Sequence, residues 1–114
     1  MWRLGLLLAV MAGPAVAEEW RSLAAAEITA ALSARALAYT DGSSQSFHAD
    51  GATRYEADSM SLGHWRVDGD QYCSQWPQSD RWDCYAVQAE SAGLYLRFVA
   101  KDGSSTTGRY IDLR

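Results

Sequence analysis

The sequence contains a single lysine, Lys101, and its other basic side chains are arginines scattered along the chain. It carries 10 basic and 14 acidic side chains, a formal net charge of −4. Binding to nucleic acid or to anionic lipid requires clustered Lys and Arg that displace counterions. We therefore expect neither nucleic acid nor a charged membrane surface as a partner.

Two motifs of catalysis are also missing. There is no G-x-G-x-x-G, which a nicotinamide reductase needs in order to place pyrophosphate at a helix terminus. There is no G-x-S-x-G around any serine, although His48 and His64 could each act as a base. The sequence favours a noncatalytic protein without a cofactor, and a hydrolase is the less favoured alternative.

The apolar run Leu4–Gly13 is too short for a transmembrane helix, which takes roughly 20 residues. It follows Arg3 and precedes a stretch that ends in Ala-x-Ala at Ala17, a pattern typical of a secretory signal peptide over residues 1–17. Cleavage would leave residues 18–114 with nine basic and fourteen acidic side chains, a net charge of −5, and no cysteine at the new N-terminus for lipidation. We expect a periplasmic or secreted protein with no membrane anchor after cleavage.

Cysteine is scarce too, with Cys73 and Cys84 as the only pair. In an exported protein an isolated even pair indicates a disulfide. Ten residues separate the two, unlike the C-x-x-C of redox centres, and a zinc site would need His48 and His64 as further ligands. A structural disulfide and no metal site are therefore predicted, with metal and redox chemistry as minor alternatives.

Residues 18–114 are predicted to form one disulfide-stapled β domain with an N-terminal helix. Ser22 can cap a helix that runs to about Ser33, and Ile28 and Leu32 share one of its faces. Beyond it, period-two patterning and Gly-containing turns predict strands near residues 36–40, 45–49, 53–58, 62–68, 70–76, 82–90, 94–101 and 107–113. The fold class is mainly β, a small antiparallel meander barrel or curled sheet of seven or eight strands.

The hairpin that carries the cysteines can be given a register. If Trp76 faces Arg81 across the loop 77–80, Cys73 lies opposite Cys84 and Tyr72 lies opposite Tyr85. The turn geometry and the disulfide thus predict the same pairing.

The segment from Gly63 to Cys73 contains the pattern G-x-W-x-V-x-G-D-x-Y-C, and Cys84 follows. Over about residues 36–112 the chain resembles small exported bacterial proteins of unknown function that share this pattern and a second cysteine. Some of them carry a dihydrodipicolinate reductase label, which the missing dinucleotide motif does not support. The resemblance implies a small periplasmic β domain with a disulfide and no catalytic residue. The order of elements also resembles lipocalin-like barrels in miniature, a likeness of fold alone.

Aromatic residues supply the candidate binding site. We expect Trp65 inside, whereas Trp76 and Trp82 flank the hairpin loop and, with Tyr85, are candidate binding residues at an exposed rim. An envelope protein or a cell-wall component is the expected partner of an accessory or inhibitor-like domain. Secreted lysozyme inhibitors have a similar size and staple, but none of their motifs is intact here.

Two further interpretations stay open. A small-ligand-binding barrel would need a hollow interior, and in so short a chain we expect side chains to fill it. Asp68 and Asp70 form the first part of a calcium loop, although a polar Asp-Gly turn is the favoured interpretation.

Export can be tested directly. When the full chain is expressed in a bacterium with a periplasm, we expect the periplasmic fraction to contain a chain that begins at Glu18 and has no free thiol. Intact mass spectrometry with and without alkylation measures both properties. Full-length protein retained inside the cells with two free thiols would contradict the prediction.

Overall fold

Residues 19–112 are described by a computed structural model, in which nine strands and one helix follow one another along the chain. The strands are β1 Trp20–Ser22, β2 Arg35–Tyr39, β3 Ser44–Phe47, β4 Ala52–Glu56, β5 Met60–Asp68, β6 Gln71–Gln75, β7 Asp83–Glu90, β8 Tyr95–Val99 and β9 Ser105–Tyr110. The helix α1 is Ala25–Leu32. The expected signal peptide, residues 1–17, lies outside the described residues.

Strands β2 to β9 form a closed antiparallel barrel. Each strand pairs with the next one along the chain, and β9 pairs with β2 to close the sheet. The predicted meander barrel is confirmed, and the eight predicted strands differ from the observed ones by three residues or fewer at any end. The Gly-containing turns between the strands adopt the conformation that tight hairpins need, because five of their glycines have positive φ: Gly42, Gly51, Gly69, Gly93 and Gly103.

The structure contains a ninth strand, β1, which was not predicted from the sequence. β1 pairs antiparallel with β7, so that Ser22 of β1 lies opposite Gln88 of β7. β7 pairs with β8 on one side and with β6 on the other. β1 pairs with β7 on the same side as β6, beyond the end of β6. Ser22 therefore belongs to a strand, and the prediction that it caps the helix is wrong.

Two acidic side chains satisfy the first N–H groups of α1 instead. The N-cap residue is Ala24, whose backbone N–H donates to Glu27 Oε1 at 2.9 Å. The N–H of Ala25 donates to Asp70 Oδ1, also at 2.9 Å. Asp70 lies in the turn between β5 and β6. Carboxylates at a helix N-terminus also interact favourably with the helix dipole. Asp70 thus joins the helix to the barrel.

The helix fills one end of the barrel. Ile28 and Leu32 have no exposed surface, and each such side chain contributes roughly 1.5–3 kcal/mol through burial. They belong to a core with Leu23, Leu37, Phe47, Trp65, Tyr72, Val87, Leu96, Phe98 and Tyr110. The expected burial of Trp65 is confirmed.

Among residues 19–112, no helix is long and apolar enough to cross a membrane.

The disulfide Cys73–Cys84 joins β6 to β7. The predicted register is confirmed, because Cys73 pairs with Cys84 and Tyr72 pairs with Tyr85. The ladder ends at the pair Ser74 and Asp83, so the loop is longer than the predicted turn 77–80. A disulfide is typical of an oxidising compartment outside the cytosol.

Removing the disulfide should lower the free energy of unfolding by an amount that grows with the logarithm of the length of the loop it closes. For a sequence separation of 11 residues, the chain-entropy model gives a loss of about 3 kcal/mol in the double variant Cys73→Ser, Cys84→Ser. Urea unfolding followed by circular dichroism measures the free energy of unfolding, and reduced wild-type protein is the control. A double variant as stable as the oxidised wild type would contradict this assignment.

Candidate functional site

A cavity of about 470 Å³ occupies the end of the barrel away from the helix. α1 leads into the start of β2, whereas the cavity is lined from the far end of that strand by Tyr39 and from the following turn by Asp41. Six rings line it: Tyr39, Tyr55, Tyr72, Trp76, Tyr85 and Phe98. The other lining side chains are Asp41, Ser43, Gln45, Ser61, Ser74 and Thr106. The volume lies within the range of small-ligand sites, about 300–1,000 Å³.

The cavity exists because inward positions change in size along the strands. Side chains alternate between the two faces of a strand, so every second residue points into the barrel. Towards the helix, inward positions carry large apolar residues such as Leu37 and Leu96, which are fully buried. Towards the open end, Ser61, Ser74 and Thr106 leave space. The interior is therefore filled in one half and open in the other, which differs from the expectation of a filled barrel.

Two glycines allow two of the rings to lie against the wall. A Cβ at Gly63 would stand 2.6 Å from Cε3 of Trp76 and 2.6 Å from the backbone oxygen of Gln75. A Cβ at Gly108 would stand 3.0 Å from Cε1 of Tyr39. The Gly at the start of the G-x-W pattern thus makes room for the tryptophan that directly follows the next strand.

A buried glutamine fixes the floor of the cavity. Gln45 is 6% exposed, and its Oε1 accepts a hydrogen bond from the Tyr39 hydroxyl at 2.6 Å. Its Nε2 donates to Thr53 Oγ1 at 2.8 Å and to the Tyr72 hydroxyl at 3.1 Å. Because a buried amide without partners would cost about 1–3 kcal/mol, this network holds both phenol rings in place.

Three phenols of the cavity, Tyr39, Tyr72 and Tyr85, are neutral at physiological pH. Burial raises the pKa of Tyr72 to about 12 and raises the pKa of Tyr39 further still. Burial also raises the pKa of Tyr85, and the nearby Asp83 carboxylate acts in the same direction. These rings therefore present hydroxyl groups and uncharged π faces to a ligand.

Asp41 is the charged group of the cavity mouth. Its Oδ1 accepts hydrogen bonds from the Ser43 hydroxyl at 2.5 Å and the Ser43 backbone N–H at 2.9 Å. These bonds hold the pKa of the Asp41 carboxyl below its usual value, and the bond from the Ser43 hydroxyl has the largest effect. Asp41 is therefore ionised at neutral pH.

The structure separates the three predicted binding residues. Trp76 and Tyr85 line the cavity, where the Trp76 ring lies edge-to-face with Tyr55 at a centroid distance of 6.0 Å. Trp82 lies outside the lining, with the Arg66 guanidinium 4.0 Å from its ring centroid. Both tryptophans are half-buried, so the expected exposed rim pair is wrong. The alternation of side chains along the strand explains why Tyr85 lines the cavity and Trp82 does not. Trp82 is two residues from Cys84 and shares its side of the wall, whereas Tyr85 is the next residue and faces the other side.

The acidic pair considered for calcium has other partners. Asp70 accepts the helix N–H described above, and Asp68 lies 3.8 Å from Arg66. In the part of the chain that the structure describes, no group of three or more His, Cys, Asp or Glu side chains is placed to hold a metal ion. His48 and His64 are both exposed.

Most of the cavity wall, including Tyr39, Gln45 and Tyr55, was not predicted from the sequence. A usable signal was present, since each of these residues lies two positions from a buried residue of the same strand, Leu37, Phe47 or Thr53. The alternation of side chains along a strand therefore places all three on the inward face.

Comparison of the chain with family models, with curated proteins and with solved structures finds no match in any of the three. Function therefore has to be inferred from the chemistry of the cavity and of the outer surface.

The raised tyrosine pKa values predict alkaline instability. The folded state favours the protonated phenols. Their contribution to the free energy of unfolding is therefore complete below the ordinary pKa of 10.0 and is lost as pH rises towards 12. We expect the melting temperature to fall over this interval, with tyrosinate absorbance from Tyr39 and Tyr72 appearing only on unfolding. A Tyr72→Phe variant should lose stability less steeply with pH. Ionisation of all tyrosines near pH 10 in the folded protein would contradict this prediction.

Proposed function

We propose that this protein is a noncatalytic exported binding protein that takes a small, largely apolar ligand into the open end of its barrel. The observation that carries the proposal is the cavity of about 470 Å³, lined by six aromatic rings around a buried glutamine. The N-terminal segment with signal-peptide character and the disulfide support a periplasmic or secreted location.

The wall of the cavity is organised before any ligand arrives. Tyr39 and Tyr72 are held by Gln45, and Trp76 Nε1 donates to Ser74 Oγ at 3.2 Å. Aromatic rings offer a large contact area with few rotatable bonds, so little conformational entropy is lost on binding. This arrangement favours recognition of a compact ligand over a purely structural role for the rings.

An envelope protein or a cell-wall component is the second candidate ligand. Its support is the outer face, where Leu62 is 59% exposed and where Arg66 lies over Trp82. Trp and Arg are enriched among residues that dominate the energy of protein interfaces. In this alternative the partner contacts Trp82 and leaves Trp76 unaffected.

Ligand entry can be tested with the neutral fluorescent probe N-phenylnaphthylamine. Saturable binding at one site is expected, and Ser61→Trp should weaken it about tenfold or more because the new ring fills the cavity. Leu62→Trp is the matched control, since it adds the same ring at the next position of β5 on the outer face. Equal probe affinity in both variants would contradict the proposal.

A measurement on the wild type keeps the test valid if Ser61→Trp does not fold. Indole N–H signals in a proton–nitrogen correlation spectrum report on each tryptophan separately. Addition of N-phenylnaphthylamine should shift the Trp76 signal and leave the Trp82 signal in place. Assignment can use Trp76→Phe and Trp82→Phe. Absence of saturable binding, or a shift confined to Trp82, would overturn the cavity as the binding site.

A further inference from the structure

We propose that the ligand is an organic cation, an alkylammonium group held against the aromatic faces of the cavity and paired with Asp41 at its mouth. The inference rests on the proposed function and names its ligand class.

The charges of the cavity are of one sign. Of the residues that line it in the described part of the chain, Asp41 alone carries a charge at neutral pH, and none is Lys, Arg or His. The arginines near this end are engaged elsewhere: Arg54 lies 2.7 Å from Glu56, and Arg81 lies 3.2 Å from Asp83. A cation entering the cavity therefore meets one carboxylate and no like charge from the lining.

The rings add to the negative potential. The face of an aromatic ring is the negative part of its quadrupole, and a cation within about 6 Å of the ring centroid is attracted to it. Six rings surround one volume here, and the phenols among them with raised pKa values stay neutral. Aromatic cages of this kind suit quaternary ammonium groups because such groups have a low cost of desolvation and cannot donate hydrogen bonds.

The same wall is poorly suited to an anion. An anion would need a cationic partner or free N–H donors. The lining side chains with N–H groups are Gln45 and Trp76, and their donors are committed to Thr53, Tyr72 and Ser74. The lining thus offers hydroxyl groups alone as uncommitted side-chain donors.

The chain supplies a matched control for Asp41. The tetrapeptide D-G-S-S occurs twice, at residues 41–44 and 102–105. Asp102 Oδ1 accepts hydrogen bonds from the Ser104 hydroxyl at 2.6 Å and its backbone N–H at 2.9 Å, as Asp41 does from Ser43. Asp102 does not line the cavity. An Asn at either position keeps the accepting oxygen of the turn, so both substitutions should affect stability alike.

The experiment compares three probes of similar shape and different charge. Phenyltrimethylammonium is the cation, tert-butylbenzene is its neutral carbon isostere, and benzenesulfonate is the anion. Each is titrated into the wild type, Asp41→Asn and Asp102→Asn while the Trp76 indole signal is followed. We expect the cation to bind about tenfold more tightly than the isostere, and the anion not to bind. Asp41→Asn should weaken binding of the cation several-fold and leave the isostere unchanged, whereas Asp102→Asn should change neither.

The outcomes separate this inference from the proposed function. If tert-butylbenzene binds as tightly as the cation, or benzenesulfonate binds more tightly, the cation inference is overturned and the small-ligand function stands. If no probe, N-phenylnaphthylamine included, reaches the cavity, the proposed function itself fails. If the cation is preferred but Asp41→Asn and Asp102→Asn behave alike, the pairing with Asp41 is overturned.

Discussion

Closure of the barrel by pairing of β2 with β9 is the constraint on which both the core and the cavity depend. The closing pairs span the two halves: Leu37 lies opposite Tyr110 in the filled half, and Tyr39 lies opposite Gly108 at the cavity wall. The Tyr110 hydroxyl donates to the backbone oxygen of Ala31 at 2.6 Å, so the seam also holds the helix. Closure fixes the interior width, and the residue type at each inward position then determines whether that level is solid or hollow.

The hairpin of β5 and β6 connects the helix, the core, the cavity and the staple. Gly63 makes room for a cavity ring, and Trp65 packs in the core. Asp70 accepts a hydrogen bond from the helix N-terminus, Tyr72 belongs to the floor of the cavity, and Cys73 forms the disulfide. The G-x-W-x-V-x-G-D-x-Y-C pattern therefore carries contacts to four separate parts of the fold, each with its own physical requirement.

Features that depend on neighbouring residues could be predicted from the sequence, whereas features that depend on many distant segments could not. The eight strands of the barrel, the Gly-containing turns and the pairing of Cys73 with Cys84 follow from neighbouring residues, and the structure agrees with them. The contact of Asp70 with the start of the helix could not be predicted, because Asp70 is 45 residues from Ala25. The cavity is a difference between volumes contributed by many strands, which no single segment reveals. The binding candidates Trp76 and Tyr85 line the cavity, whereas Trp82 has the same parity as Cys84 and lies outside the lining.

The disulfide and the cavity are linked by stability and by position. A small domain buries a modest share of its surface, and a hollow half reduces that share, so a covalent constraint on the unfolded chain offsets part of the loss. The staple also lies where the cavity needs rigidity, since Cys73 stands between Tyr72 and Ser74, and Cys84 precedes Tyr85. With β6 and β7 joined there, rings on both strands keep their positions in the absence of ligand. Binding then requires less ordering of side chains, which favours affinity for a small molecule.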